Sequence, residues 1–195
     1  DTNSGNLLFE EVELSYNVID NGIEITGCEI SCPADLMIPS EIDSYTVTSI
    51  SNWAFFNDML SNIILPGSLI TIGDYAFTSN NLTNIEIPSS VTTIGKRAFG
   101  SNQLKSVIFG KNSTSIGEGA FSFNDLTIIT LPESITSIEN EAFKYNELTT
   151  IRFMGEPPAI SDDAFDSNGE LAEISYCGDN NGDWSSILVE GISPK

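Results

Sequence analysis

The sequence is rich in carboxylates but lacks the residue that most often accompanies them in catalysis. It contains 28 Asp and Glu and no His in 195 residues. Catalytic triads, Cys–His pairs and His-containing metal sites are therefore excluded. Two carboxylates could flank a glycosidic bond, but the spacing singles out no pair, and no glycine-rich phosphate loop follows a strand. We expect no enzymatic activity and no cofactor.

One acidic stretch near the C-terminus has the spacing of a calcium-binding loop. Asp179, Asn181 and Asp183 alternate, and Glu190 occupies the twelfth position, as in an EF-hand. However, Trp184 stands at the sixth position, where the sharp turn requires Gly, and the ninth position is an Ile without a side-chain oxygen. A polar turn in a terminal segment is the favoured interpretation, and we predict no metal site.

The cysteines offer a second kind of chemistry. Cys28 and Cys32 are close in the sequence, with three residues between them. They are either bridged, as an oxidising compartment would allow, or two ordinary buried thiols. Three cysteines without a second close pair do not predict a structural zinc site.

The dominant feature of the chain is a strict internal repeat. The dipeptide Ala-Phe recurs at a constant interval, beginning at positions 54, 76, 98, 120, 142 and 164. Around it, one copy reads Leu82-x-x-Ile85-x-Ile87-Pro88, a short strand with two inward residues, ended by proline. The interval falls within the roughly 20–29 residues of leucine-rich repeats. We therefore predict a β-rich solenoid of α/β type, a right-handed superhelix with one short parallel strand per repeat.

Two structural columns follow from this register. The six phenylalanines should stack along the solenoid: Phe55, Phe77, Phe99, Phe121, Phe143 and Phe165. A second column should contain Asn80, Asn102, Asn124, Asn146 and Asn168, with Asp58 in the first repeat. Because these asparagines neighbour buried leucines, their amides are expected to satisfy backbone groups of the turns.

The residues that alternate with the inward ones form a candidate binding surface, called here the sheet face. We predict that its partner-binding residues are Met37, Ile64, Glu86, Ile108, Ile128, Thr130, Arg152 and Ser175. Three are isoleucines, where a merely solvated surface would be polar, and exposed apolar patches often mark interaction sites. The alternative is that β-branched residues occur there because they favour strands.

The repeats also resemble a known family. The string Thr93-Ile94-Gly95 through Ala98-Phe99, followed by Leu-x-x-Ile-x-Ile-Pro, resembles the BspA-like (treponemal-type) leucine-rich repeats of bacterial surface proteins. The resemblance spans residues 36–176. Repeats of that family usually carry one more residue before the Leu than the Asn-x-Leu spacing of this chain. The resemblance implies a secreted or surface-exposed bacterial protein that serves adhesion or protein binding.

Both ends of the repeat region carry segments that could cap it. Residues 1–35 are predicted to form an N-terminal hairpin with a turn at Asp20-Asn21-Gly22, residues 36–176 the repeats, and residues 177–195 a C-terminal cap. At about 4.8 Å per strand, Cys177 lies roughly 29 Å from the other cysteines, too far for a disulfide.

The charge balance narrows the choice of partner. The net charge is −21, and no Lys or Arg precedes Lys96. Nucleic acid is excluded as a partner because phosphate binding needs clustered cations, and no apolar run is long enough to insert into a membrane. The charge either serves solubility or favours a cationic partner. We expect a protein or glycan partner; the alternative is a passive spacer or stalk.

Overall fold

The protein is a β-solenoid of about six turns. The structure, a computed structural model, describes residues 12–169, 173–177 and 184–186. Each complete turn contributes two short parallel strands from two sides of the solenoid and a compact turn from a third side. In the described residues no helix is present, so none is long and apolar enough to cross a membrane.

The first set of strands, the sheet-face strands, follows the predicted register. Partners in the middle of the solenoid are parallel and lie one repeat apart, as in Asn84 opposite Ser106 and Ile129 opposite Ile151. These strands are β3 (Asp35–Met37), β6 (Asn62–Ile64), β8 (Asn84–Glu86), β10 (Ser106–Ile108), β12 (Ile128–Leu131), β14 (Thr150–Phe153) and β16 (Glu173–Cys177). Beyond β14 the register slips forward by a single position, so that Ile151 lies opposite Ile174.

A second set, the side strands, was not predicted. The first repeat forms a six-residue strand and each later repeat a two-residue strand just before the recurrent turn, so the prediction of one strand per repeat is wrong. Thr93 and Ile94, for example, pair with Thr71 and Ile72 on one side and with Ser115 and Ile116 on the other. The side strands are β5 (Tyr45–Ile50), β7 (Thr71–Ile72), β9 (Thr93–Ile94), β11 (Ser115–Ile116), β13 (Ser137–Ile138) and β15 (Ala159–Ile160).

The Ala-Phe segment forms a tight turn instead of a helix, which corrects the α/β part of the prediction. In the second repeat, Tyr75 and Ser79 both have a left-handed backbone, with φ of 59° and 60°. Only three residues lie between them, whereas a helix needs a continuous run of negative φ. The same pair of left-handed residues recurs at Trp53 and Asn57, Arg97 and Ser101, Gly119 and Phe123, and Glu141 and Tyr145.

The phenylalanine rings form a continuous stack through the core. Neighbouring ring centroids are 5.2–5.5 Å apart and the rings are inclined by 2–11°. This spacing is close to the distance of about 4.8 Å between adjacent strands, so one ring per turn fits without tilting. The first five rings are completely buried. Inward residues of both strand sets, such as Ile85 and Ile94, complete the core.

The asparagine column joins each turn to the preceding one. Asn102 accepts a hydrogen bond from the Leu82 N–H at 3.1 Å and donates to the carbonyls of Phe77 and Phe99 at 2.9 and 3.2 Å. One amide thus satisfies three backbone groups that the turn leaves without a partner in a sheet. The other members make the corresponding bonds: Asn80, Asn124, Asn146 and Asn168.

The N-terminal part of the solenoid begins with a hairpin. Strands β1 (Leu14–Ile19) and β2 (Gly22–Cys28) pair antiparallel around a turn at residues 20–21. β2 then pairs in parallel with β5, which makes the hairpin continuous with the side strands. The short strand β4 (Glu41–Ile42) also pairs with β5. Cys28 and Cys32 form a disulfide, with their Cα atoms 5.5 Å apart.

The last described strand lies beyond the repeats. β17 (Trp184–Ser186) pairs antiparallel with β16. The remainder of the predicted C-terminal cap, residues 178–183 and 187–195, lies outside the described residues, as does most of the calcium-like segment from Asp179 to Glu190.

Candidate interaction surface

The sheet face is set by the alternation of side chains along each sheet-face strand. In β6, Ile63 is buried while its neighbours Asn62 and Ile64 are exposed, and β8 and β10 repeat this pattern. Because successive side chains of a strand point to opposite sides, the outward residues line up in two adjacent columns. One column runs through Asn62, Asn84, Ser106, Ile128 and Thr150, and the other through Met37, Ile64, Glu86, Ile108, Thr130 and Arg152.

Large apolar side chains are exposed on this face. The exposed fractions are 45% for Met37, 47% for Ile64, 62% for Ile108 and 47% for Ile128. Met37 lies directly opposite Ile64 on the neighbouring strand, whereas Ile108 and Ile128 lie further along the solenoid. The sheet face therefore exposes apolar side chains in several of its turns.

The polar members of the predicted set differ in accessibility. Glu86 and Thr130 are exposed, and Arg152 is half-buried. Ser175 is only 3% exposed, and its inclusion in an accessible surface is wrong. It lies on β16 between Arg152 of one neighbouring strand and Ser186 of the other. A short side chain flanked by strands on both sides is readily shielded from solvent.

An open groove of about 570 Å³ lies on the sheet face between β6 and β8. Ile64 and Pro88 supply apolar wall, and Asn62, Asn84 and Glu86 supply amide and carboxylate groups. Apolar surface beside hydrogen-bonding groups is typical of sites that recognise polar macromolecules. Ser89 adds a hydroxyl group to the lining of the groove.

Two lysines, Lys96 and Lys144, form ion pairs on the turn side of the solenoid. Lys96 Nζ is 2.9 Å from Glu118 Oε1, and Lys144 Nζ is 2.8 Å from Glu141 Oε1. Hydrogen bonding to Lys144 lowers the pKa of Glu141, and the corresponding bonds raise the pKa of Lys144 and of Lys96. The charged forms of Glu141, Lys144 and Lys96 are therefore stabilised by their ion pairs.

The turn side also exposes aromatic residues that the sequence analysis missed. Trp53 and Tyr75 stack with ring centroids 4.0 Å apart, and Phe123 and Tyr145 stack at 4.5 Å. Both pairs occupy the left-handed positions that flank the Ala-Phe segment. The two members of each pair are one repeat apart in the sequence, but they fall outside the repeated apolar frame.

No constellation of metal ligands was found in the part of the chain that the structure describes: it contains no group of three or more Cys, Asp and Glu side chains placed to hold an ion. The two disulfide sulfurs are likewise not free to coordinate.

The sequence matches the BspA type leucine rich repeat region over residues 41–178, in six copies. No curated protein matches it. A solved leucine-rich repeat protein from Bacteroides ovatus is 27% identical with a TM-score of 0.60, over 83% of this chain and 51% of that one. This chain therefore spans about half the length of the Bacteroides protein.

Two further solved structures share the fold. The leucine-rich repeat protein of T. pallidum is 24% identical, with a TM-score of 0.57 over 71% of this chain and 68% of that one. A leucine-rich cell surface protein from Faecalibacterium prausnitzii is 24% identical, with a TM-score of 0.62 over 84% of this chain and 53% of that one.

Proposed function

Because the chain belongs to the BspA-type leucine-rich repeat family, we propose that it is a non-enzymatic binding module that holds a protein or glycan partner on its sheet face. The proposal includes a location outside the cell or on the surface of a bacterium. One of the similar solved structures is described as a cell surface protein, and the Cys28–Cys32 disulfide is of the kind that persists in oxidising compartments.

The observation that carries the proposal is the exposure of apolar side chains on a face that a solenoid could have kept polar. Ile108, at 62% exposed, lies in the same column as Glu86 and Thr130. Nothing in the core requires an isoleucine there, because the neighbouring inward residue Val107 fills the interior. Desolvated apolar anchors tend to dominate the free energy of binding at interfaces.

A passive spacer is the competing function. A spacer needs only length, and its outward residues could be the same in every turn. Along the second column, however, residue type changes from apolar at Ile64 and Ile108 to acidic at Glu86 and basic at Arg152. This variety favours a specific partner over a repetitive or absent one.

In this proposal the elements at the two ends of the solenoid cap it and shield its apolar core from solvent. The β1–β2 hairpin covers the side strand β5 on its open edge, and residues 177–195 would serve at the opposite end. Repeat proteins require such terminal elements because an uncovered last turn would expose its apolar face.

The test compares two triple variants that carry the same chemical change on different surfaces. The first converts Ile64, Ile108 and Ile128 to Thr. The control converts three exposed apolar residues away from the sheet face, Val18, Ile30 and Ile70, to Thr. Affinity for the partner isolated with the parent chain is measured by surface plasmon resonance, beside a thermal melt of each variant.

Both variants are expected to remain folded, since surface substitutions usually change stability by less than about 0.5 kcal/mol each. The sheet-face variant should lose partner binding by at least about tenfold, and the control should bind like the parent. Equal affinity of the sheet-face variant and the parent would reject the sheet face as the binding site. The passive spacer would then be the better supported function.

A further inference from the structure

A second exposed surface, distinct from the sheet face, lies on the turn side near the N-terminal end. It consists of Trp53 and Phe56, in the turn between β5 and β6, and Tyr75, in the turn between β7 and β8. The Trp53 and Tyr75 rings are parallel within 5° at 4.0 Å. The Phe56 ring stands at 72° to Trp53, with centroids 5.0 Å apart. We call this arrangement the aromatic corner.

The aromatic corner is exposed to solvent, and hydrogen bonds fix its backbone. Trp53 is 51% exposed and Phe56 is 42% exposed. The Trp53 N–H donates to the Asp74 carbonyl at 2.9 Å, and the Phe56 N–H donates to the Trp53 carbonyl at 3.2 Å. Because the backbone of both residues is fixed by hydrogen bonds, little ordering of the site is needed when a ligand binds.

A comparable contact between a cation and an exposed aromatic ring occurs elsewhere on the turn side. The other exposed stacked pair, Phe123 and Tyr145, occupies the second left-handed position of its turns. There Lys144 places its ammonium group 5.7 Å from the Tyr145 ring centroid while bonding to the Glu141 carboxylate. The turn side of this solenoid thus already accommodates a cation between an aromatic ring and a carboxylate.

The aromatic corner is built from a part of the sequence that is rich in carboxylates. Thirteen Asp and Glu and no Lys or Arg precede Lys96 in the sequence. The first two cations along the chain are already paired: Lys96, which lies near enough to Tyr75 to interact with it, bonds Glu118 at 2.9 Å, and Arg97 reaches Glu141 at 3.4 Å. Arg97 does so by crossing Gly119, whose missing side chain leaves room for it.

We propose that the aromatic corner binds a Lys or Arg side chain of a basic peptide segment in a partner protein. A cation is attracted to the face of an aromatic ring, most strongly to that of Trp, and this cation–π attraction strengthens when the cation is partly desolvated. The net charge of −21 raises the local concentration of a basic partner. A neutral ligand would gain the aromatic contact but not the electrostatic attraction. This proposal is independent of the sheet face.

The probe is a hexa-arginine peptide, with hexa-citrulline as its neutral counterpart, titrated by calorimetry in about 150 mM NaCl to screen long-range attraction. The test variant is Trp53→Asn, since Asn tolerates the left-handed φ of 64° at this position. Phe123→Asn is the matched control, because Phe123 is an exposed, stacked aromatic residue with φ of 56°. Phe56→Ala removes one wall of the corner and leaves Trp53 in place.

We expect the dissociation constant for hexa-arginine to rise about tenfold in Trp53→Asn, equivalent to about 1.4 kcal/mol, and at least about threefold in Phe56→Ala. Phe123→Asn should bind like the parent, and hexa-citrulline should bind markedly less well than hexa-arginine. In a Trp184→Phe background, where Trp53 is the single tryptophan, hexa-arginine should also change the Trp53 fluorescence.

Three results would overturn the proposal. Equal affinities of Trp53→Asn and Phe123→Asn would mean that hexa-arginine binds through general charge. Equal binding of the two peptides would mean that the positive charge is not recognised. If neutral cellohexaose shifted the Trp53 emission and hexa-arginine did not, the corner would be a carbohydrate platform. None of these outcomes bears on the Ile64, Ile108 and Ile128 variant, so the two proposals fail separately.

Discussion

At the scale of single residues, the asparagine column shows how much of a buried polar residue's hydrogen bonding can be predicted from the sequence. The sequence places Asn102 and its equivalents beside buried leucines, and a buried amide must have partners. That reasoning predicts bonds to the backbone but not their direction. In the structure each amide bridges two successive turns, so that Asn102 serves Leu82 and Phe77 of the preceding turn as well as its own Phe99.

The phenylalanine column gives the first prediction at this scale. Phe99 is fully buried between Phe77 and Phe121, with ring centroids 5.2 and 5.4 Å away. Replacement by Ala is expected to lower the free energy of unfolding by about 3–5 kcal/mol, because neighbours on both sides prevent collapse of the void. Urea denaturation of parent and variant measures the difference. A loss below about 1 kcal/mol would contradict tight packing of the column.

Asp58 gives a prediction on pH, since it stands where the other turns have Asn. Its carboxylate is 3.3 Å from the Cys32 sulfur, which has no proton to donate because it is in a disulfide. Burial raises the pKa of Asp58 above 3.8. A carboxyl group whose pKa is raised by folding contributes stability at pH values below its unfolded pKa and loses that contribution as pH rises through the folded pKa.

The variant Asp58→Asn should therefore be more stable than the parent at pH 7, by about 1 kcal/mol or less, and the advantage should disappear near pH 3. Urea denaturation of both proteins at the two pH values measures this. An advantage of equal size at both values would show that it comes from the hydrogen bonds of the amide and not from the loss of a charge.

At the scale of elements, the sequence predicts the sheet-face strands but not the side strands. The former have two inward apolar residues, such as Ile85 and Ile87, and several of them are followed by a proline. A side strand has only two residues, one of them inward, as in Thr93-Ile94, which is too short to show alternation. The α/β part of the prediction was also wrong. The turns contain residues with a left-handed backbone, such as Arg97, and this conformation cannot be predicted from the residue type.

The glycine that follows each of several side strands gives a prediction about the spacing of turns. A Cβ atom on Gly95 would lie 2.7 Å from the backbone nitrogen of Asp74 and 2.7 Å from the carbonyl carbon of Gly73. Because neither backbone atom can move without shifting its turn, Gly95→Ala should cost about 1–3 kcal/mol. The fifth turn has the exposed Glu139 at this position, so Glu139→Ala is a matched control with an expected change below about 0.5 kcal/mol. Thermal melts of both variants test the difference, and equal stabilities would show that the turns separate readily.

At the scale of the whole molecule, the candidate surfaces depend on features that lie many residues apart. The repeat register was sufficient to place Ile64, Ile108 and Ile128 on one exposed face. It was not sufficient at Ser175, because the register slips after β14 and a further strand pairs with β16. The aromatic corner was missed because Trp53 and Phe56 belong to one turn only, and a repeat-based prediction depends on what the turns share.

The net charge of the molecule leads to a prediction about salt. The chain has 28 acidic and seven basic side chains. Three surface ion pairs lie within the described residues. Each such pair contributes at most about 1 kcal/mol, whereas the excess of 21 negative charges repels itself throughout the folded chain. Screening should therefore relieve more repulsion than it weakens attraction.

We expect the melting temperature at pH 7 to rise by about 3 °C between roughly 10 mM and 300 mM NaCl, equivalent to about 1 kcal/mol for a chain of this size. The same titration at pH 4.1, the isoelectric point expected from the sequence, provides the control, because little net charge remains to be screened there. The rise should then vanish or reverse. Differential scanning calorimetry measures both series. A rise of equal size at both pH values would assign the effect to the salt itself, and no rise at pH 7 would mean that the acidic side chains are spaced widely enough along the solenoid for water to screen them.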